Sequence, residues 1–139
     1  MNGFLLDTNV ISELVSTKPD QRVVDWMDAA TEDRLFLSVM TLGEIRQGVA
    51  SLPQSQKRTR LEMWLEVDLR LRFAGRILTI DEAVADRWGW IMVQDKGRTP
   101  AVVDSIIAAT ALRHDLRMVT RNISDFSVPG LTLINPWEI

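Results

Sequence analysis

Phe4-Leu5-Leu6-Asp7-Thr8-Asn9, residues 4–9, is the stretch that decides the fold. Three apolar residues make a short run of the kind that fills a buried strand, and the next three suit a turn and a helix cap. A strand that ends on a carboxylate and passes straight into a helix is the opening of a β-α unit. The pattern predicts a strand over 3–6, a short helix over 10–14 and a second helix over 21–30, whose Val23, Val24, Trp26 and Met27 form an apolar stripe.

The alternation continues outward from there. Residues 35–39 predict a second strand, and Thr41 with Glu44, three apart, stands at the start of the next helix with Glu44 in its first turn. Pro53 to Gln56 make a break, and a long charged helix then runs to about Phe73. A third strand over 77–80 leads into a helix over 81–94. Lys96-Gly97-Arg98 is a loop, and Thr99 as N-cap with Pro100 at the first helical position opens a helix to about Arg113. Residues 117–120 give a fourth strand, 121–130 a loop and 131–134 a fifth strand before the Asn135-Pro136-Trp137 tail. This order predicts an α/β domain with a mainly parallel sheet covered by helices on both faces, and in such sheets ligands bind outside the C-terminal strand edge.

Composition narrows the function. The 139 residues predict a single domain over 1–139, and 46% hydrophobic with 25% charged residues excludes disordered and fibrous classes. The absence of cysteine excludes disulfide scaffolds, thiolate zinc sites and cysteine nucleophiles, and His114 is the one imidazole. A metal would therefore be held by oxygen, which favours Mg²⁺ or Mn²⁺ over zinc. The start of the chain lacks the charged and apolar pattern of a signal peptide, which predicts a cytoplasmic protein. Asp104 and Arg113 bracket the best apolar run, so no membrane role is expected. A net charge of -3 argues against a surface that binds nucleic acid throughout. Lys57, Arg58, Arg60, Arg70, Arg72 and Arg76 oppose Glu62, Glu66 and Asp68, which favours a solvated helix face of mixed pairs over a phosphate-facing patch.

Singly, most of the acidic candidates have a structural account. Thr41 with Glu44 matches a capping box, Asp7 can cap the helix after it, and Asp125 can sit in an Asx turn. Asp104 resists such an account, because it lies within Val102-Val103-Asp104-Ser105-Ile106-Ile107, beside Val103 and Ile107 on the wheel. A favourable helix dipole, at about 0.3–1 kcal/mol, is small against desolvating an unpaired carboxylate. Taken together, carboxylates gathered at one sheet edge would raise one another's pKa unless a cation neutralised them. A divalent ion that polarises a phosphate and activates water predicts phosphodiester hydrolysis.

Four blocks carry a family resemblance: residues 4–9, residues 37–45 (Leu37 through Ser38, Thr41 and Glu44 to Ile45), residues 104–111 from Asp104, and residues 119–126 with Thr120, Asn122 and Asp125. In that order they make the chain resemble the PIN-domain ribonucleases, and most closely the VapC-type toxins of bacterial toxin-antitoxin pairs. The resemblance implies a PIN-like three-layer domain with strand order 3-2-1-4-5 and an acidic triad of Asp7, Glu44 and Asp104 binding Mg²⁺ or Mn²⁺. Thr8, Asn9, Ser38 and Thr120 would form the hydrogen-bonded shell. Many relatives carry an Asp where this chain has Asn122, so Asp125 is the candidate for the remaining charge. The resemblance further implies an RNA substrate, a homodimer or larger toxin-antitoxin assembly, and a cognate antitoxin that sets a basic side chain among the carboxylates.

Two rivals come from other classes. A phosphotransfer enzyme with Asp7 as nucleophile is disfavoured by Asn9, where a second Asp would stand, and by the lack of an acidic pair near Phe4-Leu5-Leu6. A catalytically weak PIN-fold module that binds a protein or RNA partner is the alternative that Asn122 keeps open. Of the tryptophans Trp26, Trp64, Trp88 and Trp90, most are expected in the core, and His114 is expected to serve as an end-of-helix residue.

Overall fold

The computed structural model describes residues 3–94 and 101–139. Five strands, β1 (Phe4–Leu6), β2 (Leu35–Ser38), β3 (Ile77–Leu78), β4 (Arg117–Val119) and β5 (Leu133–Ile134), form one sheet in the order β3-β2-β1-β4-β5. Every neighbouring pair is parallel, as expected. The helices are α1 (Thr8–Leu14), α2 (Gln21–Ala29), α3 (Val39–Ala50), α4 (Gln56–Met63), α5 (Arg70–Arg72), α6 (Glu82–Met92) and α7 (Val102–Arg113). A π-helical stretch, Trp64–Leu69, joins α4 to α5.

Successive side chains of a strand point to opposite faces of its sheet, and β1 shows the consequence. Leu6 packs with Val10, Val23, Ile45 and Leu65 on one face. Leu5 packs with Val84, Ile107, Ala109 and Met118 on the other. β4 repeats the division, with Met118 in the core of Leu5 and Val119 in the core of Leu6. Leu5 and Leu6 are fully buried, and burial of each contributes roughly 1.5–3 kcal/mol. Two cores on one sheet make three layers, which is why Leu5-Leu6 and Met118-Val119 are apolar at consecutive positions.

Several boundaries differ from expectation for local reasons. β2 ends at Ser38 and α3 begins at Val39, because Ser38, still extended, accepts the Met40 amide on its hydroxyl at 3.0 Å. Thr41 and Glu44 therefore form no capping box, and Glu44 falls in the second turn of α3 rather than the first. β3 ends at Leu78, for as an edge strand it pairs only with β2, and Ile80 is exposed. The long charged helix passes through the π-helical stretch, which keeps Leu65 and Leu69 buried while Met63, Val67 and Leu71 face solvent. Ala101 is extended and α7 begins after it, two residues later than expected. The expected cap at Thr99, Pro100 and the Lys96-Gly97-Arg98 loop lie outside the described residues.

The charged face is one of mixed pairs: Arg58 with Glu62, Arg46 with Glu66, and both Arg72 and Arg76 with Glu32. Trp26 meets Phe4 edge-on at 5.1 Å. Trp26, Trp64 and Trp88 pack against the cores, whereas Trp90 is exposed. His114 follows the last turn of α7 as its C-cap. Among the described residues no helix is long and apolar enough to cross a membrane.

Candidate metal centre

The register between β1 and β4 builds the site. Leu6 lies opposite Val119, and the ladder runs one residue further, where the Asp7 amide donates to the Val119 carbonyl at 2.9 Å. Asp7 and Thr120 therefore leave two adjacent strand ends side by side, and Thr120 Oγ1 donates to Asp7 Oδ2 at 2.7 Å. The other oxygen, Oδ1, accepts the Thr8 amide at 2.8 Å, which makes Asp7 the N-cap of α1 as well. Its structural account and its place in the acidic group thus belong to the same carboxylate.

Thr8 reaches across to α3. Its hydroxyl donates to Glu44 Oε1 at 2.5 Å and lies 3.4 Å from Thr41 Oγ1. Because β2 adjoins β1 in the sheet, the second turn of α3 comes to rest over the end of β1. Asp104 enters from the first turn of α7, half-buried, on the side of the sheet where Ile107 and Ala108 pack. Asp125 stands exposed in the 3-10 turn Ile123–Phe126 after β4.

These groups feel one another. Burial pushes the Asp7 carboxyl up from its ordinary value to about 6; hydrogen bonds from Thr120 and Thr8 oppose the rise, and the charges of Asp104 and Glu44 add to it. Asp104 is raised first by burial and then by the charges of Glu44 and Asp125. All four acidic residues thus share one electrostatic neighbourhood at the C-terminal edge of the sheet.

The polar shell is held by Thr120, which is fully buried. Its hydroxyl takes the Asn122 amide at 3.0 Å and Asn9 Nδ2 at 3.4 Å while donating to Asp7. Asn9 Oδ1 in turn accepts the Arg121 amide at 3.4 Å. Ser38 is fully buried and uses its hydroxyl to cap α3, and Asn122 is exposed. Thr41 is a site neighbour that sequence reasoning assigned to capping alone. The signal was present, since Thr41, Ile45 and Val49 recur every four residues on the buried face of α3.

The donors suit a hard cation, being carboxylate and hydroxyl oxygens. Among the described residues no three carboxylates are drawn together tightly enough to ligate one ion directly. An all-carboxylate cage therefore does not match the geometry. Mg²⁺, which is held through one or two carboxylates and keeps several waters, does match it.

Comparison with known proteins agrees with this arrangement. The PIN domain family model matches residues 4–128. The chain is 40% identical over 136 residues to the VapC ribonuclease Y4jK of Sinorhizobium fredii, covering 96% of this chain and 97% of that protein. It is 42% identical over 136 residues to the toxin FitB of Neisseria gonorrhoeae, covering 96% of this chain and 98% of that one. The crystal structure of FitAcB from the same organism superposes with a TM-score of 0.91, covering 98% and 99% of the two chains at 40% identity. A toxin-antitoxin complex from Klebsiella pneumoniae is 27% identical, with a TM-score of 0.72 over 99% of this chain and 100% of that one. With this sheet order, this acidic edge and relatives that span its length, the chain belongs to the PIN-domain family, among the VapC-type proteins.

Proposed function

We propose that this chain is a metal-dependent endoribonuclease, the toxin of a toxin-antitoxin pair, acting in the cytoplasm as a single domain over residues 1–139. The observation that carries the reading is the bridge through Thr8, which joins the carboxylates of Asp7 and Glu44 from two separate elements at the sheet edge. Names borne by the similar proteins, a ribonuclease and a toxin, support the same reading.

Asp7, Glu44 and Asp104 are the residues that would hold the metal, one or two of them directly and the rest through its waters, with Asp125 as the fourth and outermost charge. Mg²⁺, for which Mn²⁺ substitutes, supplies Lewis acidity to a phosphate oxygen and acidity to a water when bound. Thr120 and Thr8 fix both oxygens of Asp7, so the carboxylate is oriented before any ligand arrives. The Thr8 hydroxyl holds one oxygen of Glu44, Oε1. A bound cation would neutralise these repelling charges and so let the site accept an anionic RNA phosphate. A cognate antitoxin and a homodimer complete the proposal. The shared electrostatic neighbourhood of Asp7, Glu44 and Asp104 favours the nuclease over the catalytically weak binding module.

The test is incubation of purified, antitoxin-free protein with labelled total RNA in Mg²⁺, Mn²⁺ or EDTA, alongside Asp7→Asn. Cleavage by wild type with metal, and by neither protein in EDTA, is the expected result. Equal cleavage by both proteins would reject the assigned site.

A further inference from the structure

The nuclease reading extends to the substrate through a cleft beside the candidate metal centre. A cavity of about 280 Å³ opens between α1, α3 and the segment that runs from α4 into the π-helical stretch, and Thr8 and Glu44 line it. Its walls follow helical spacing. Thr8 and Ser12 stand one turn apart on α1, Glu44 and Gly48 one turn apart on α3, and Lys57 and Trp64 two turns apart on the third wall.

Three features of these walls describe the occupant. Trp64 begins the π-helical stretch, a rare distortion that gathers at functional sites, and this half-buried residue lines the cavity. Lys57 is exposed at the rim and, among the described residues, pairs with no carboxylate, although Arg58 beside it does. Gly48 leaves space, since a Cβ built there would meet nothing within 4 Å. A tryptophan, a cation and an open floor beside Glu44, within walls otherwise made largely by the apolar Val15, Ile45, Val49, Leu52 and Leu61, match a base and its phosphate. The volume is close to the lower end of small-ligand pockets, roughly 300 Å³, and small for a protein helix.

We infer that this cleft holds one nucleotide of single-stranded RNA adjacent to the scissile phosphate, with its base stacked on Trp64, its backbone phosphate at Lys57 and Ser12 offering a hydroxyl to the base edge. The inference rests on the nuclease reading above. Stacking tolerates any base, and a hydroxyl both donates and accepts, so the cleft anchors the strand more than it selects a sequence.

The test uses full-length, antitoxin-free protein carrying Asp7→Asn, to bind RNA without cutting it, and short fluorescent homopolymer RNAs read by anisotropy. In that background Gly48→Leu weakens binding about tenfold or more, and Gly48→Ala weakens it less. Trp64→Phe keeps most of the affinity and Trp64→Leu loses it. Abasic substitution, one position at a time, finds one nucleotide whose removal costs as much as Gly48→Leu and costs nothing further in that variant. Normal binding by folded Gly48→Leu, or no binding of any RNA by the parent, overturns the inference. So does a Gly48→Leu protein that binds RNA normally but escapes its antitoxin, which assigns the cleft to the antitoxin. Cleavage of the same RNAs by the Asp7 protein in Mg²⁺ is scored separately. Cutting with indifferent cleft variants rejects the cleft alone, and no cutting by any of them rejects the nuclease reading as well.

Discussion

The hydroxyl of Thr8 donates to Glu44 Oε1 at 2.5 Å, tying the first turn of α1 to the second turn of α3. Groups that orient a metal-binding carboxylate typically contribute about 10–100-fold to activity or metal affinity. Thr8→Val is therefore expected to lower RNA cleavage by about that factor while the far-ultraviolet dichroism stays unchanged, and Thr8→Ser to restore it. Equal activity of the Val and Ser variants would show that the bond orients nothing of consequence.

Thr120 carries the other half of the support. Its buried hydroxyl serves Asp7, Asn9 and the Asn122 amide at once, so Thr120→Val leaves the partners short and should cost about 1–3 kcal/mol in urea unfolding. The Thr120 bond lowers the Asp7 carboxyl, so its loss is expected to raise that carboxyl further. Titration of the Asp7 side chain by NMR in both proteins measures the direction.

Asp7 makes stability depend on pH with a definite sign. The folded carboxyl titrates near 6 against an ordinary 3.8, so the metal-free folded protein binds this proton more tightly than the unfolded chain. That contribution is fully present below the unfolded value and is lost as pH rises through the folded one, up to about 3 kcal/mol in all. In EDTA, wild type should lose stability relative to Asp7→Asn between those two values and be the less stable protein at neutral pH. Mg²⁺ or Mn²⁺ should reverse the order by stabilising wild type alone. Thermal unfolding of both proteins across pH, with and without metal, checks each step.

The fold was legible because its signals were local. Phe4-Leu5-Leu6-Asp7 combines a buried run with a capping carboxylate. What stayed hidden depended on partners distant in sequence. Ser38 and Thr41 are both plausible caps, and only the extended backbone at Ser38 selects it. The π-helical stretch from Trp64 buries Leu65 and Leu69 at the same spacing as an ordinary helix, so the apolar pattern does not distinguish the two. At the site, Asp7 and Asp104 were readable as carboxylates at the starts of helices, whereas Glu44, expected in a first turn, lies in the second turn of α3. The bridge from Thr8 to Glu44 spans 36 residues of chain and became visible only with the sheet order.

Asp125 tests the outer limit of the site. It is exposed, and its charge raises Asp104 from the short 3-10 turn after β4. Asp125→Asn should lower the Asp104 pKa and weaken Mn²⁺ binding in calorimetry, but by less than Asp104→Asn does. Asn122→Asp, adding charge on the residue whose amide meets Thr120, is expected to tighten Mn²⁺ binding.

The most direct measurement is the initial rate of cleavage of one defined RNA in saturating Mg²⁺ by wild type, Asp7→Asn, Glu44→Gln and Asp104→Asn, each checked for folding. The account predicts cleavage by wild type that EDTA abolishes, and a fall to background in all three variants. Folded variants that cut at the wild-type rate would contradict it.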